Sequence, residues 1–281
     1  MRLSWLVALG GLAVAAAVPA GADEWSRQYA VKGRPDVHVK AGDGEVRIEP
    51  GAPGEVSARV TTVGWKIGDG GITIRESQAG DRVEIEVVLP NLGLMGWGSR
   101  KIDVALRVPA DSALDVRTGD GGIDAHGLGG TLSLSTGDGK IAVSGLRGDV
   151  KLHTGDGGIT GTGLSGRLSA DTGDGDVDVR GRFTGLDLET GDGDVLAAVE
   201  SGSKLEGPWS VRTGDGSVTL RLPDGLDATL EARTGDGGIR LAKPLAVDGE
   251  VKENRLHGRL GAGGPLLSIR TGDGRIRLEG L

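Results

Sequence analysis

The chain has 281 residues, with 32 Lys and Arg against 40 Asp and Glu, 54 Gly, no Cys and a net charge of −8. The acidic balance leaves no basic footprint for nucleic acid, and the lack of cysteine excludes disulfides and a lipid-modified N-terminal cysteine. One Phe, one Tyr and five Trp leave little for a surface that stacks sugars or bases.

Residues 1–22 read as an export signal. Arg2 supplies the positive start, Leu6 to Val18 the apolar run, and Ala20-Gly21-Ala22 the small-residue cleavage site. The run is short for a membrane span. The mature chain is expected to begin at Asp23, to carry no transmembrane segment, and to be exported to a periplasm, the cell envelope or beyond.

Residues 23–117 form an N-terminal β region with irregular rungs. Val37-His38-Val39, Val46-Arg47-Ile48 and Ile72-Thr73-Ile74 alternate over short stretches, and Val83 to Leu89 and Ile102 to Val108 over longer ones. Incomplete corner phrases stand at Ala41-Gly42-Asp43-Gly44 and Ile67-Gly68-Asp69-Gly70. The loop of residues 90–100 is unusually apolar. Leu92, Leu94, Met95 and Trp97 make it either a flap over the fold or a partner surface.

From residue 118 to 281 one phrase organises the chain. Thr-Gly-Asp-Gly begins at Thr118, Thr136, Thr154, Thr172 and Thr190, eighteen residues apart each time, and recurs more loosely at Thr213, Thr234 and Thr271. Such a period marks a solenoid whose units must stack to bury a core. Aliphatic columns repeat in step: Ile123, Ile141, Ile159, Val177, Val195; Leu132, Val150, Leu168, Leu186; Leu134, Leu152, Ala170, Leu188. The expected fold is a single-stranded right-handed parallel β-helix with 18-residue turns. A left-handed hexapeptide helix needs an aliphatic residue every six positions, and the step from Ile123 meets Gly129 and Ser135.

Stacking puts Asp120, Asp138, Asp156, Asp174 and Asp192 in one column, continued by Asp215, Asp236 and Asp273. Like charges about 4.8 Å apart repel by roughly 1 kcal/mol in water, so the column must face solvent, take backbone donors or meet cations. A structural role is expected, with Gly supplying positive φ and each Asp bonding its own turn. Pro208-Trp209 and Pro223-Asp224-Gly225 fall where insertions bulge outward. The interval from Thr234 to Thr271 holds either two turns or one turn with a hairpin.

The chain resembles the adhesin-labelled bacterial β-strand-repeat family of unknown function. The likeness is carried by Tyr29 to Gly33 with Val37 to Val46, by the Thr-Gly-Asp-Gly-x-aliphatic run, and by the ending Gly261 to Gly274. It implies an exported or envelope-associated right-handed β-helix and brings no catalytic motif. Four readings of function remain. The first is a non-enzymatic interaction scaffold with an unidentified envelope or extracellular partner. The second is a rod that self-associates end to end through unpaired strand edges. The third is a polysaccharide-acting enzyme, for which no cleft of long loops is evident. The last is weak calcium binding, for which one Asp per turn supplies too few oxygens. His38, His126, His153 and His257 show no ligand spacing, and nothing in the sequence asks for a cofactor.

Overall fold

The computed structural model describes residues 22–90, 100–242 and 247–280, and every regular element among them is a strand. The first nine are β1 (Ala22–Ala30), β2 (Asp36–Lys40), β3 (Glu45–Pro50), β4 (Glu55–Val63), β5 (Thr73–Ala79), β6 (Arg82–Val88), β7 (Lys101–Val108), β8 (Asp111–Arg117) and β9 (Ile123–His126). The repeat supplies β10 (Gly129–Thr136), β11 (Ile141–Ser144), β12 (Arg147–Thr154), β13 (Ile159–Thr172), β14 (Val177–Thr190) and β15 (Val195–Val199). The last eight are β16 (Trp209–Thr213), β17 (Val218–Leu222), β18 (Ala228–Thr234), β19 (Ile239–Ala242), β20 (Val247–Val251), β21 (Arg255–Leu260), β22 (Leu266–Thr271) and β23 (Ile276–Gly280).

The alternating residues build two ladders that meet at the corners. Strands entering the corners stack in parallel as β6, β2, β8, β10, β12, the second half of β13, the second half of β14, β16, β22 and β18. Strands leaving them stack as β7, β3, β9, β11, the first halves of β13 and β14, β15, β17, β23 and β19. Leu132 lies opposite Val150, and Val150 opposite Leu168, each partner eighteen positions on. The fold is all-β and solenoid-like.

One core runs inside both ladders. Ile123, Ile141, Ile159, Val177 and Val195 are all buried. Each such side chain contributes about 1.5–3 kcal/mol through removal from water. Leu128, Leu146 and Leu164 form a further buried column at the opposite corner, and Phe183, opposite Gly166 on the next rung, is buried as well. Here the glycines do take positive φ: Gly127, Gly145 and Gly163 lie between 62° and 67°. Trp209 does not bulge outward as expected. It begins β16, is fully buried, and donates its Nε1 hydrogen to the Thr184 carbonyl at 3.3 Å.

Order in space departs from order in sequence at both ends. The rung β2–β3 slots between the rung β6–β7 and the rung β8–β9. At the other end β22–β23 returns to lie between β16–β17 and β18–β19. The outer rungs then carry antiparallel strands. At the first end β4 pairs with β7, β1 with β4, and β5 with β6. At the second, β21 pairs with β18 and β20 with β21. The interval from Thr234 to Thr271 is therefore one turn carrying a hairpin, the second of the two arrangements anticipated, with β22 returning beneath β18. Those antiparallel strands cover most of the edge that the stacked rungs would otherwise expose.

Candidate functional site

The Thr-Gly-Asp-Gly corners form one continuous spine, and threonine is its fastener. Thr154 is fully buried. Its hydroxyl faces the carbonyls of Gly137 at 3.1 Å and Gly139 at 2.9 Å on the previous rung, and accepts from the Gly157 N–H of its own turn at 3.2 Å. Thr118, Thr136, Thr172, Thr190, Thr213, Thr271 and Thr234 repeat the contact with their own lower neighbours. Glycine N–H groups add a second line along the axis: Gly155 to Gly137 at 2.5 Å, Gly173 to Gly155 at 2.6 Å, Gly191 to Gly173 at 2.6 Å. The spine follows spatial order, because Thr271 reaches back to Gly216 and Thr234 to Gly274.

Close approach, rather than positive φ, explains the glycines of the eight full corners. None of them has positive φ. A Cβ on Gly157 would stand 2.0 Å from the Gly139 carbonyl oxygen, and one on Gly155 would stand 2.7 Å from that of Gly137. The incomplete phrase at residues 41–44 joins the spine, with Thr118 Oγ1 2.7 Å from the Gly44 carbonyl. The phrase at residues 67–70 does not. It makes the turn before β5, closed by the pairing of Ile67 with Ile72.

Asp120, Asp138, Asp156, Asp174, Asp192, Asp215, Asp236 and Asp273 are all exposed on this edge. The backbone bond expected of each corner Asp is instead made by Thr within the corner and by acids two positions further on. Asp176 accepts from the Asp194 N–H at 2.8 Å, and Asp194 from the Ser217 N–H at 2.7 Å. The sequence signal for that role was the acid directly after the second glycine in these two turns. Among the described residues no group of three or more His, Cys, Asp or Glu is placed to hold a metal ion.

Leu92, Leu94, Met95 and Trp97 lie outside the described residues. Beside that segment, the Arg100 guanidinium sits 4.2 Å from the centre of the Trp65 ring, a cation–π contact. The histidines do not converge. His153 bonds Asp171 at 2.8 Å, and His38 has Asp36 2.9 Å from its Nε2. Tyr29 is the most perturbed acid: burial raises its phenol, and the bond to Glu76 at 2.5 Å raises it further.

Residues 36–279, from the first inserted rung to the last, match the model of the Toastrack DUF4097 family. The chain belongs to that family. Solved structures similar to this Toastrack chain include a candidate lipid-binding protein from Parabacteroides distasonis ATCC 8503, at 12% identity and a TM-score of 0.47 over 91% of this chain and 96% of that one. A candidate adhesin from Bacteroides fragilis NCTC 9343 aligns at 11% identity and a TM-score of 0.38, over 92% and 97%. A candidate cell adhesion protein from Clostridium sporogenes ATCC 15579 gives 13% and 0.32, over 92% and 100%. No curated protein matches the chain in sequence. Among the described residues no helix is long and apolar enough to cross a membrane.

Proposed function

We propose that this Toastrack protein is a non-enzymatic, exported scaffold of the cell envelope that holds a partner along its flank, as an adhesin does. The observation that carries the reading is the way the ends are finished. Antiparallel strands lie over the outer rungs at both ends, which leaves the flanks as the extended regular surface. The threonine spine fixes outward side chains in rows about 4.8 Å apart, a rigid pattern suited to recognition. The winding is read as right-handed with 18-residue turns, since strand–crossover–parallel strand connections take that hand in nearly all cases. Residues 23–117 and 118–281 act as one unit, because a single core joins them.

Cell fractionation with mass analysis of the native chain tests export, and incubation with isolated envelopes tests the role. The expected result is a chain beginning at Asp23 in an exported fraction, retained by envelopes without releasing soluble product. An intact Met1 in the cytosol, or turnover of envelope polysaccharide, would contradict the proposal.

A further inference from the structure

The N-terminal end of the rod carries a groove that the corner motif does not predict. It encloses about 1050 Å³ on the outer face of β1, β4 and β7, walled on one side by the turn at Pro50, Gly51 and Ala52. Its floor is set by register. Ser26 lies opposite Arg59, Arg59 opposite Ala105, and Ala105 opposite Arg47; beside this row Ser57 lies opposite Arg107. The alternate residues Ala58, Val60, Val104 and Leu106 are buried, so the row faces outward. Ala105 is thus a small floor residue with Arg59 on one neighbouring strand, Arg47 on the other, and Arg107 two positions along its own.

From this juxtaposition we infer that the groove binds an anionic oligosaccharide, one bearing carboxylate, sulfate or phosphate groups, with Arg59 and Arg107, which line it, as principal contacts and Arg47, in the adjoining hollow across Ala105, as the third. The inference rests on the flank-binding reading above. Neighbouring strands are about 4.8 Å apart, so an anion over Ala105 is within side-chain reach of arginines on both sides. Existing partners leave donors free. Glu24 stands 3.4 Å from Arg59 and Glu49 stands 3.6 Å from Arg107, each touching one of five guanidinium donors, and among the described residues Arg47 has no ion pair.

Two features favour a sugar chain. The row crosses four strands, more than a single ion needs. Ser26, Gln28 and Ser57 in the same groove are partners for hydroxyls.

The test is calorimetric titration of the full mature chain with a tetragalacturonate, a neutral oligosaccharide of equal length, and sodium sulfate at matched ionic strength. Binding of the acidic oligomer alone is expected. In Arg59→Ala/Arg107→Ala it should weaken by about tenfold or more, as loss of charge-assisted bonds implies. Ala105→Trp, which fills the floor and keeps every charge, should weaken it as well, and neither variant should change the melting temperature appreciably. Equal binding of the neutral sugar, saturation by sulfate at the same concentration, no binding of the acidic oligomer, or indifference to both variants would each overturn the inference. Envelope retention separates the two readings. If Arg59→Ala/Arg107→Ala is retained as well as wild type, the groove assignment fails and the scaffold stands. If wild type is not retained, the scaffold itself fails.

Discussion

Replacing Thr154 with valine removes the fastener of the middle rung while keeping its shape. The side chain is fully buried, and its hydroxyl is the partner of the Gly157 N–H and of the Gly139 carbonyl. Both glycines are buried, so water does not readily replace the lost bonds. A buried group left unsatisfied costs about 1–3 kcal/mol, and two orphaned groups give roughly 1–5 kcal/mol after the gain from a second methyl. For a chain of this size that corresponds to a fall in melting temperature of roughly 2–20 °C. Thr154→Ser keeps the hydroxyl and loses one methyl, which costs about 1 kcal/mol. The assay is thermal melting followed by circular dichroism, with urea titration as a second measure. Valine is expected to be clearly worse than serine, the reverse of what apolar volume alone dictates. A Thr154→Val protein as stable as Thr154→Ser would refute the fastening role of the threonine spine.

Gly157→Ala puts a Cβ 2.0 Å from a carbonyl oxygen, whereas Gly207→Ala has nothing within 4 Å; differential scanning calorimetry should show a loss of more than about 3 kcal/mol for the first and almost none for the second. Ile159→Asp places a charge in the core and should cost several kcal/mol, while the exposed Thr160→Asp should cost roughly 0.5 or less. Asp156→Asn should shift the melt little, with or without calcium, because the carboxylate faces water; a calcium-selective stabilisation abolished by the change would make the column a binding site. Tyr29 is held protonated in the folded state by burial and by Glu76. The unfolded phenol ionises near pH 10, so stability should fall as pH rises above that value, and a pH series in which Tyr29→Phe shows the same alkaline loss would contradict the assignment.

The repeat made most of the stacking legible. Inward columns such as Leu134, Leu152, Ala170 and Leu188 follow from alternation plus a fixed stride, because both periods are properties of the backbone. The fastening role of Thr was harder to see. Its hydroxyl bonds a neighbouring rung, and sequence displays only its own turn. The same limit hid the reason for the corner glycines, whose constraint comes from the carbonyls stacked below them. The column of Leu128, Leu146 and Leu164 was available as a Gly-Leu phrase at the same stride, masked by the stronger corner signal. The arginine groove was not legible at all. Arg47, Arg59 and Arg107 come from three separate strands, two of which meet antiparallel, and no period links them. Nor does local sequence say that Thr271 stacks on the corner of Thr213 and not on that of Thr234, since all three corners are chemically alike.

That last point decides whether the rod turns back at its second end and finishes under a hairpin, or ends in rungs stacked in chain order. In the returned arrangement the Val218 N–H bonds the Arg275 carbonyl and Ser217 Oγ accepts from the Arg275 N–H at 3.3 Å, so residues 217 and 275 are neighbours. In a rod stacked in chain order, residue 217 would adjoin Gly238 instead. The protein has no native cysteine, so two pairs can be compared cleanly. Ser217→Cys/Arg275→Cys should form an intramolecular disulfide on mild oxidation, because neighbouring strands lie within the bridging range. Ser217→Cys/Gly238→Cys should not, with a whole rung between its members. Peptide mass mapping that finds the second bridge and lacks the first would contradict the returned rung and the finished end built on it.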